Sequence, residues 1–397
     1  MRARDGRWLA ATLLLSMHHS AVGTILGWLD EHIIARPLPG PEITSRLYAV
    51  DVSRLPSPQA ASLAATFVQS ARDADTSAYL AKVARDARNA TLLVQLRIKR
   101  QRAAHAQRVG GWSRYDAEGR YLNESNLVAT AAQFNGLLRR LSRVLPSEST
   151  GGVPPLLAAP RSLLDVGASN GEMTRTLAAA LELPASSVTA MESSPVLRST
   201  LTAAGYRVSC GFHELADASF GHVSLFNVLD RTDNPRRLLT EVLRVLHPAG
   251  FLVVAVALPF CSRVYVGQLG RTDAHRPPSR PLFDASEATC KSTSPFERQA
   301  AAFVTRAYAP LPLRVAAWTR VPYICAGDAR ATHHVLDSAL FALARTGRGT
   351  TARPYPTAAA SRDSTPPLGT ASPRGSGRAG ALRRCTVTAP AALRHPP

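Results

Sequence analysis

The sequence has almost no lysine. Only Lys82, Lys99 and Lys291 stand among its 47 basic residues, against 28 acidic ones. The formal net charge of +19 over 397 residues is therefore nearly all arginine. With abundant alanine and 29 prolines, it reads as much like GC-rich composition as like a binding surface. Cysteine is scarce and odd in number. Cys210, Cys261, Cys290, Cys325 and Cys385 form no CxxC pair, which argues against a zinc knuckle or a disulfide framework and leaves isolated thiols as the expectation. No apolar run reaches the roughly twenty residues that a membrane span needs. No Ser/His/Asp signature appears, and no pair of metal ligands. Hydrophobic residues make up 45% of the chain, so a core can form, in one large domain or two ordinary ones.

The charge first suggests nucleic-acid binding, but its placement points elsewhere. From about Thr346 the chain is Arg, Pro, Ala, Thr, Ser and Gly with almost no large apolar residue. Arg348, Arg353, Arg362, Arg374, Arg378, Arg383, Arg384 and Arg394 face Asp363 alone. Residues 346–397 read as a disordered basic tail, and no specific nucleic-acid partner is expected. At the other end, Arg2, Arg4 and Arg7 precede the apolar stretch Trp8 to Met17, followed by Ser20, Ala21 and Gly23. Residues 1–23 read as a signal peptide or signal anchor, with a mitochondrial targeting helix as the alternative. The expected location is the endomembrane system (endoplasmic reticulum) or the mitochondrion, with membrane association through this segment.

Residues 24–150 read as a mostly helical extension. Helical spacing runs from about Ala60 to Gln107 and ends at Gly110-Gly111. A second helix, from about Asn126 to Val144, carries Phe134, Leu137, Leu138 and Leu141 on one face. The turn-rich stretch 147–155 is a linker. From 155 to 345 apolar strands alternate with helices, and the last two strands, Leu313–Val321 and Val335–Leu343, suit an edge hairpin. Alternation of this kind indicates a parallel doubly wound α/β sheet. Residues 268–294, rich in Pro, Arg, Ser and Thr, read as an inserted loop.

Two stretches carry candidate chemistry. Asp165-Val-Gly167-Ala168-Ser-Asn170-Gly171 sits where the first strand turns into a helix, so backbone N–H groups can meet a ligand. Glu192 ends the second strand, where a carboxylate can accept two ribose hydroxyls. This is the arrangement of S-adenosylmethionine-dependent methyltransferases. Asn227-Val-Leu-Asp230-Arg231 closes the fourth strand, at the edge where open α/β sheets bind ligands. A helix cap or an ion pair to Arg231 would also account for Asp230.

Several segments together resemble one family. LLDVGASNGEMT (163–174), FNVLDR (226–231), LPF (258–260) with Tyr265-Val266, and TRVPYICAGD (319–328) leading to HHVLDSALFAL (333–343) are similar to the methyltransferase-like protein nine, or DREV, family, as are Phe67-Val-Gln-Ser70 and Gln133-Phe134. The resemblance implies a class I Rossmann-like, seven-stranded methyltransferase sheet with an N-terminal helical extension. It also implies an enzyme that uses S-adenosyl-L-methionine to methylate the pros nitrogen of histidine in His-x-His motifs of protein substrates. By that resemblance Asp165, Gly167, Ala168, Asn170, Gly171, Glu192 and Asn227 hold the cofactor, while Asn227, Asp230 and Tyr323 line the acceptor site, without a metal. The family's central glycine of the first turn is Ser169 here, and the acidic residue after it is Asn170. His333-His334 replace paired tyrosines, and Gly267 replaces an acidic residue. The competing expectations are a methyltransferase of another substrate class and a catalytically inactive methyltransferase-fold binding protein.

Overall fold

The computed structural model describes residues 46–122, 126–144, 159–265, 275–283, 294–326 and 333–346. The N-terminal segment 1–23, the 147–155 linker and the basic tail fall outside these residues. The extension supplies α1 (Ala60–Thr66), α2 (Ala74–Ala87), α3 (Ala90–Gly110), α4 (Arg114–Tyr121) and α5 (Ala131–Val144). Then follow β1 (Leu163–Val166), α6 (Glu172–Ala180), β2 (Val188–Met191), α7 (Pro195–Ala203), β3 (Arg207–Ser209), β4 (Phe220–Phe226), α8 (Pro235–Val245) and β5 (Leu246–Ala257). A two-residue pair, β6 (Val264–Tyr265) with β7 (His275–Arg276), precedes α9 (Phe296–Phe303), β8 (Leu313–Ala326) and β9 (His333–Arg345).

Local sequence explains most boundaries. Ser194 and Asn234 cap α7 and α8 by accepting the N–H groups of Leu197 and Arg237, and Pro195 and Pro235 follow as first helical residues. Gly111, at φ 63°, closes α3 in the left-handed region. The helical region expected from 60 to 107 consists of three helices, because Asp73 and Asn89 cap new starts within it. The helix expected from Asn126 begins at Ala131, and its predicted face, Phe134, Leu137, Leu138 and Leu141, is buried.

The seven-stranded sheet has the order β3-β2-β1-β4-β5-β9-β8. Strands β1 to β5 are parallel, and β9 runs antiparallel to both β5 and β8. The seven-stranded sheet is thus as expected, and the late hairpin closes one edge with β8 outermost. The apolar runs of β4 and β5 are buried because helices cover both faces of a parallel sheet.

The extension is built into this core. Phe67 pairs in a bridge with Trp318 and Leu127 with Ile324. Trp318 is fully buried, its ring lies 5.1 Å from that of Phe67, and its Nε1 donates to the Leu63 carbonyl at 2.7 Å. Trp318→Phe removes that donor, leaves the Leu63 carbonyl only the longer bond from the Thr66 hydroxyl at 3.3 Å, and empties part of a fully buried site, so it is expected to cost about 2 kcal/mol in urea unfolding.

Two expectations need correction. Residues 275–283, inside the expected inserted loop, pack onto the domain. Leu282 and Phe283 are buried, with the Phe283 ring 5.2 Å from Phe260 and 5.6 Å from Phe303. Two apolar residues within a polar stretch anchor this segment, together with the Arg236 guanidinium donating to the Leu282 carbonyl. Cys210 and Cys261 are each disulfide-bonded rather than idle thiols, while Cys325 is in no disulfide. Cys210 also stands in a triad with His213 and Glu214, but its sulfur is committed to a disulfide and Glu214 accepts from Ser209 and the Cys210 amide. Among the described residues no helix is long and apolar enough to cross a membrane.

Candidate functional site

The order of the sheet reverses between β1 and β4, and the loops after these two strands meet there. A Cβ on Gly167 would lie 2.8 Å from Val228 Cγ2, so only glycine lets the two loops approach this closely. Gly167, at φ 75°, and Gly171, at φ 83°, frame the turn after β1. Between them Ser169 sits at φ 52°. A side chain in this region costs about 1 kcal/mol or more. Ser169→Gly is expected to raise the melting temperature by a few degrees, by about 1 kcal/mol of relieved strain. An unchanged or lowered value would show that the serine is not strained.

Asp165 shares its register position in the β1–β4 pairing with Ser224. Its Oδ1 accepts from the Ser224 hydroxyl at 2.6 Å and its Oδ2 from Thr174 at 2.5 Å. Burial pushes its pKa up to about 6, the Glu192 charge adds to this, and the two hydroxyls oppose it. Asp165 thus braces β1 against β4 and α6, each oxygen accepting one hydroxyl. The Ala168 side chain packs beneath the turn with Ala190 and Leu201, and the amides of Gly167 and Ala168 donate to the Met191 carbonyl. Asn170 Oδ1 accepts from the Glu172 amide and caps α6.

Glu192 follows β2 on the other side of the turn. Its Oε2 accepts from the Ser169 amide at 3.0 Å, and its Oε1 from Ser193 Oγ and the Ser194 amide. One lone pair of Oε2 has no partner among these bonds, so the carboxylate can still accept from a ligand hydroxyl. The extension reaches this corner: Ser194 Oγ donates to Asp116 Oδ1 at 2.6 Å, and the Cβ of an alanine at Gly119 would meet Leu197 Cγ at 2.7 Å.

The loop after β4 carries the least satisfied polar atoms. Asn227 turns at φ 54°, a conformation asparagine adopts more readily than most residues, and is buried, yet both its amide atoms lack hydrogen-bond partners. Asp230 Oδ1 is also buried without a partner, and its Oδ2 lies 3.6 Å from Arg231 Nε. Burial raises the Asp230 pKa, with the Arg231 charge opposing. The sequence alternative of an ion pair is therefore realised at one oxygen and leaves the other open. Buried polar groups are nearly always paired in folded proteins, so three orphan atoms on one loop indicate a place where a ligand completes the bonding.

Tyr323, on β8, is buried, and burial pushes its phenol well above the ordinary range; the charges of Arg231, Cys325 and Asp230 also reach it. Cys325 lies two residues on, along the same face. The extension closes this side as well. Asn126 Oδ1 accepts from the Ala326 amide, and the Phe134 ring lies 5.7 Å from that of Phe226.

The structure therefore gathers Gly167, Gly171, Glu192, Asn227, Asp230 and Tyr323 at one end of the sheet, and puts Asp165, Ala168 and Asn170 in supporting positions. Several members of the site were not read from the sequence. Ser224, a lone hydroxyl within an apolar strand, and Thr174 carried a usable signal. Asp116 carried none, because its contact spans 78 residues. Asp233 was also missed. Its carboxylate accepts from Arg276, the Ser279 amide and the Ser279 hydroxyl, tying residues 276–279 to the loop that bears Asp230.

A family model described as DREV methyltransferase matches residues 54–345. Among solved structures the chain is similar to an S-adenosylmethionine-dependent methyltransferase from Aquifex aeolicus, at 15% identity over 46% of this chain and 81% of that one, with a TM-score of 0.26. It is also similar to a methyltransferase of the same dependence from Methanosarcina mazei, at 14% identity over 47% and 92%, with a TM-score of 0.30.

Proposed function

Since the chain belongs to the DREV methyltransferase family and is an S-adenosylmethionine-dependent methyltransferase, we propose that its acceptor is the pros nitrogen of histidine in His-x-His motifs of proteins. The observation that carries this reading is the pair of unsatisfied buried groups, Asn227 and Asp230, beside Tyr323.

The residues present fit the methyl donor. The Gly167–Gly171 turn and the N-terminal end of α6 offer backbone to its amino-acid end, Glu192 keeps acceptor capacity for ribose hydroxyls, and Asn227 has both a donor and an acceptor to give. Asp165, Ala168 and Asn170 act by holding the turn in shape. When bound, S-adenosylmethionine supplies an electrophilic sulfonium methyl group.

What the chain must do is present a neutral nucleophile along one direction. A neutral imidazole carries one N–H and one lone pair. Asp230, accepting from the far N–H, fixes the tautomer that leaves the near nitrogen unprotonated. Its raised pKa keeps the carboxylate basic enough for that task, and its open Oδ1 is the atom available for it. Asn227 steadies the same loop, and Tyr323 forms the wall against which the ring is seated. Arg231, by its charge, opposes the effect of burial and favours the ionised form of Asp230.

The test is mass spectrometry of a His-Ala-His peptide incubated with the chain and S-adenosylmethionine, with fragments that separate the pros from the tele isomer. A single pros-methyl group is the expected product. Transfer to a lysine, arginine or small-molecule acceptor instead would replace this reading with a methyltransferase of another substrate class.

A further inference from the structure

Helix α3 runs for 21 residues in the extension and contains no acidic side chain, but five basic ones: Arg97, Lys99, Arg100, Arg102 and Arg108. It packs on α2 and α4, burying Ala103 and Ala106. Its other side is unusual in a second respect. Six large apolar side chains are exposed among the described residues, and four of them, Leu92, Ile98, Val109 and Trp112, belong to α3 or the turn just beyond it. Val109 is 73% exposed. Isolated apolar side chains on a surface are ordinary, but their concentration on one element is not.

The spacing gives this surface a shape. Residues 98, 102, 105 and 109 follow one another at intervals of four, three and four, which places Ile98, Arg102, His105 and Val109 on one helix face. All four are exposed, as are Lys99 and Arg108, which flank them. The stripe from Ile98 to Val109 is about 16 Å long at the rise of an α-helix, and the exposed Trp112 follows just beyond the helix end, its indole over Gly110.

We propose that this face of α3 docks on an anionic phospholipid surface. A phosphate-bearing nucleic acid or an acidic protein segment would satisfy the cations but leave Ile98 and Val109 in water. A lipid interface takes both. Headgroup phosphates meet Lys99, Arg102 and Arg108, the aliphatic tips enter the boundary with the acyl chains, and an indole such as that of Trp112 is the ring best suited to that boundary. The occupant is the lipid surface itself, and contact is made by a folded helix distinct from the N-terminal segment.

The experiment uses the full chain in three forms: wild type, an apolar pair Ile98→Ser with Val109→Ser, and a charge pair Lys99→Glu with Arg102→Glu. Each is sedimented with vesicles of phosphatidylcholine alone and of phosphatidylcholine with phosphatidylserine. None of these residues belongs to the site at the sheet end, so methylation of a soluble peptide is expected to be unchanged in both variants, which also shows that they fold. The wild type is expected to bind the phosphatidylserine vesicles preferentially, more weakly as salt rises. Each pair should weaken that binding about tenfold or more. Binding by both variants equal to wild type would overturn the proposal and assign membrane affinity to the chain ends. Loss in the charge pair alone, matched by loss of binding to a single-stranded RNA, would also overturn it and mark a nucleic-acid surface.

Discussion

Asp230→Ala is expected to lower turnover on a His-Ala-His peptide by about 10²-fold or more, the usual scale for removing a group that controls a proton on the reacting centre. KM should change far less, because the carboxylate orders the tautomer of a ring that the rest of the pocket still seats. Asp230→Asn is the more informative partner. It keeps the size and one acceptor oxygen, but it adds an amide donor and loses the charge that favours the N–H-bearing tautomer. It should therefore also fall well below the wild type. Near-wild-type turnover in both variants would remove Asp230 from the acceptor site and leave its buried, unpaired Oδ1 without a role. The rate should fall on the acid side. A protonated imidazole has no lone pair, and its ordinary pKa is about 6.5. Asp230 must also be ionised, and burial moves its pKa upward in the same direction. Both requirements depress activity as pH drops, and neither does so as pH rises to about 8.

Glu192→Ala is expected to weaken S-adenosylmethionine binding by about 10- to 100-fold in calorimetry, the loss of charge-assisted hydrogen bonds to ribose hydroxyls. The carboxylate also receives the Ser169 and Ser194 amides, so the alanine variant loosens the turn itself. Glu192→Gln separates the two effects. It keeps an acceptor for the backbone while losing the charge, and an intermediate affinity is expected. If both variants bind the cofactor as tightly as the wild type, Glu192 is a structural brace only. If the wild-type chain fails to bind at millimolar concentration, the inactive binding-protein reading gains over the catalytic one, and Ser169 becomes the first residue to revert to glycine.

These experiments bear on a site whose parts differ in how far they could be read in advance. The turn from Asp165 to Gly171 was legible because glycines, a strand and a helix start stand within a few residues of each other. Asn227 and Asp230 were legible as polar residues leaving an apolar strand. Tyr323 was legible only through resemblance, since nothing around it in the sequence separates a site tyrosine from a core one. The bracing of Asp165 by Ser224 and Thr174 is not legible in the sequence. Register is the reason. Strand pairing put Ser224 opposite Asp165, and a sequence pattern contains no pairing information across 59 residues.

The sequence by itself determined the periodicities. Apolar runs of β4 and β5, caps at Ser194 and Asn234 and the amphipathic face of α5 each follow from residues a few places apart, where local sterics and hydrogen bonding decide. It also located much of its own charge, in a tail with almost no large apolar residue. Only the tertiary structure decided that β9 lies between β5 and β8, that residues 275–283 are held down by Leu282 and Phe283, and that the extension contacts both corners of the site through Asp116 and Asn126. These depend on contacts between distant segments, whose free energy comes from buried area and shape rather than from neighbours in the chain. The basic residues of α3 likewise acquired their neighbours only in three dimensions. Arg102 shares one exposed face with Ile98 and Val109, with Lys99 and Arg108 beside it, and that coincidence is a property of the folded surface.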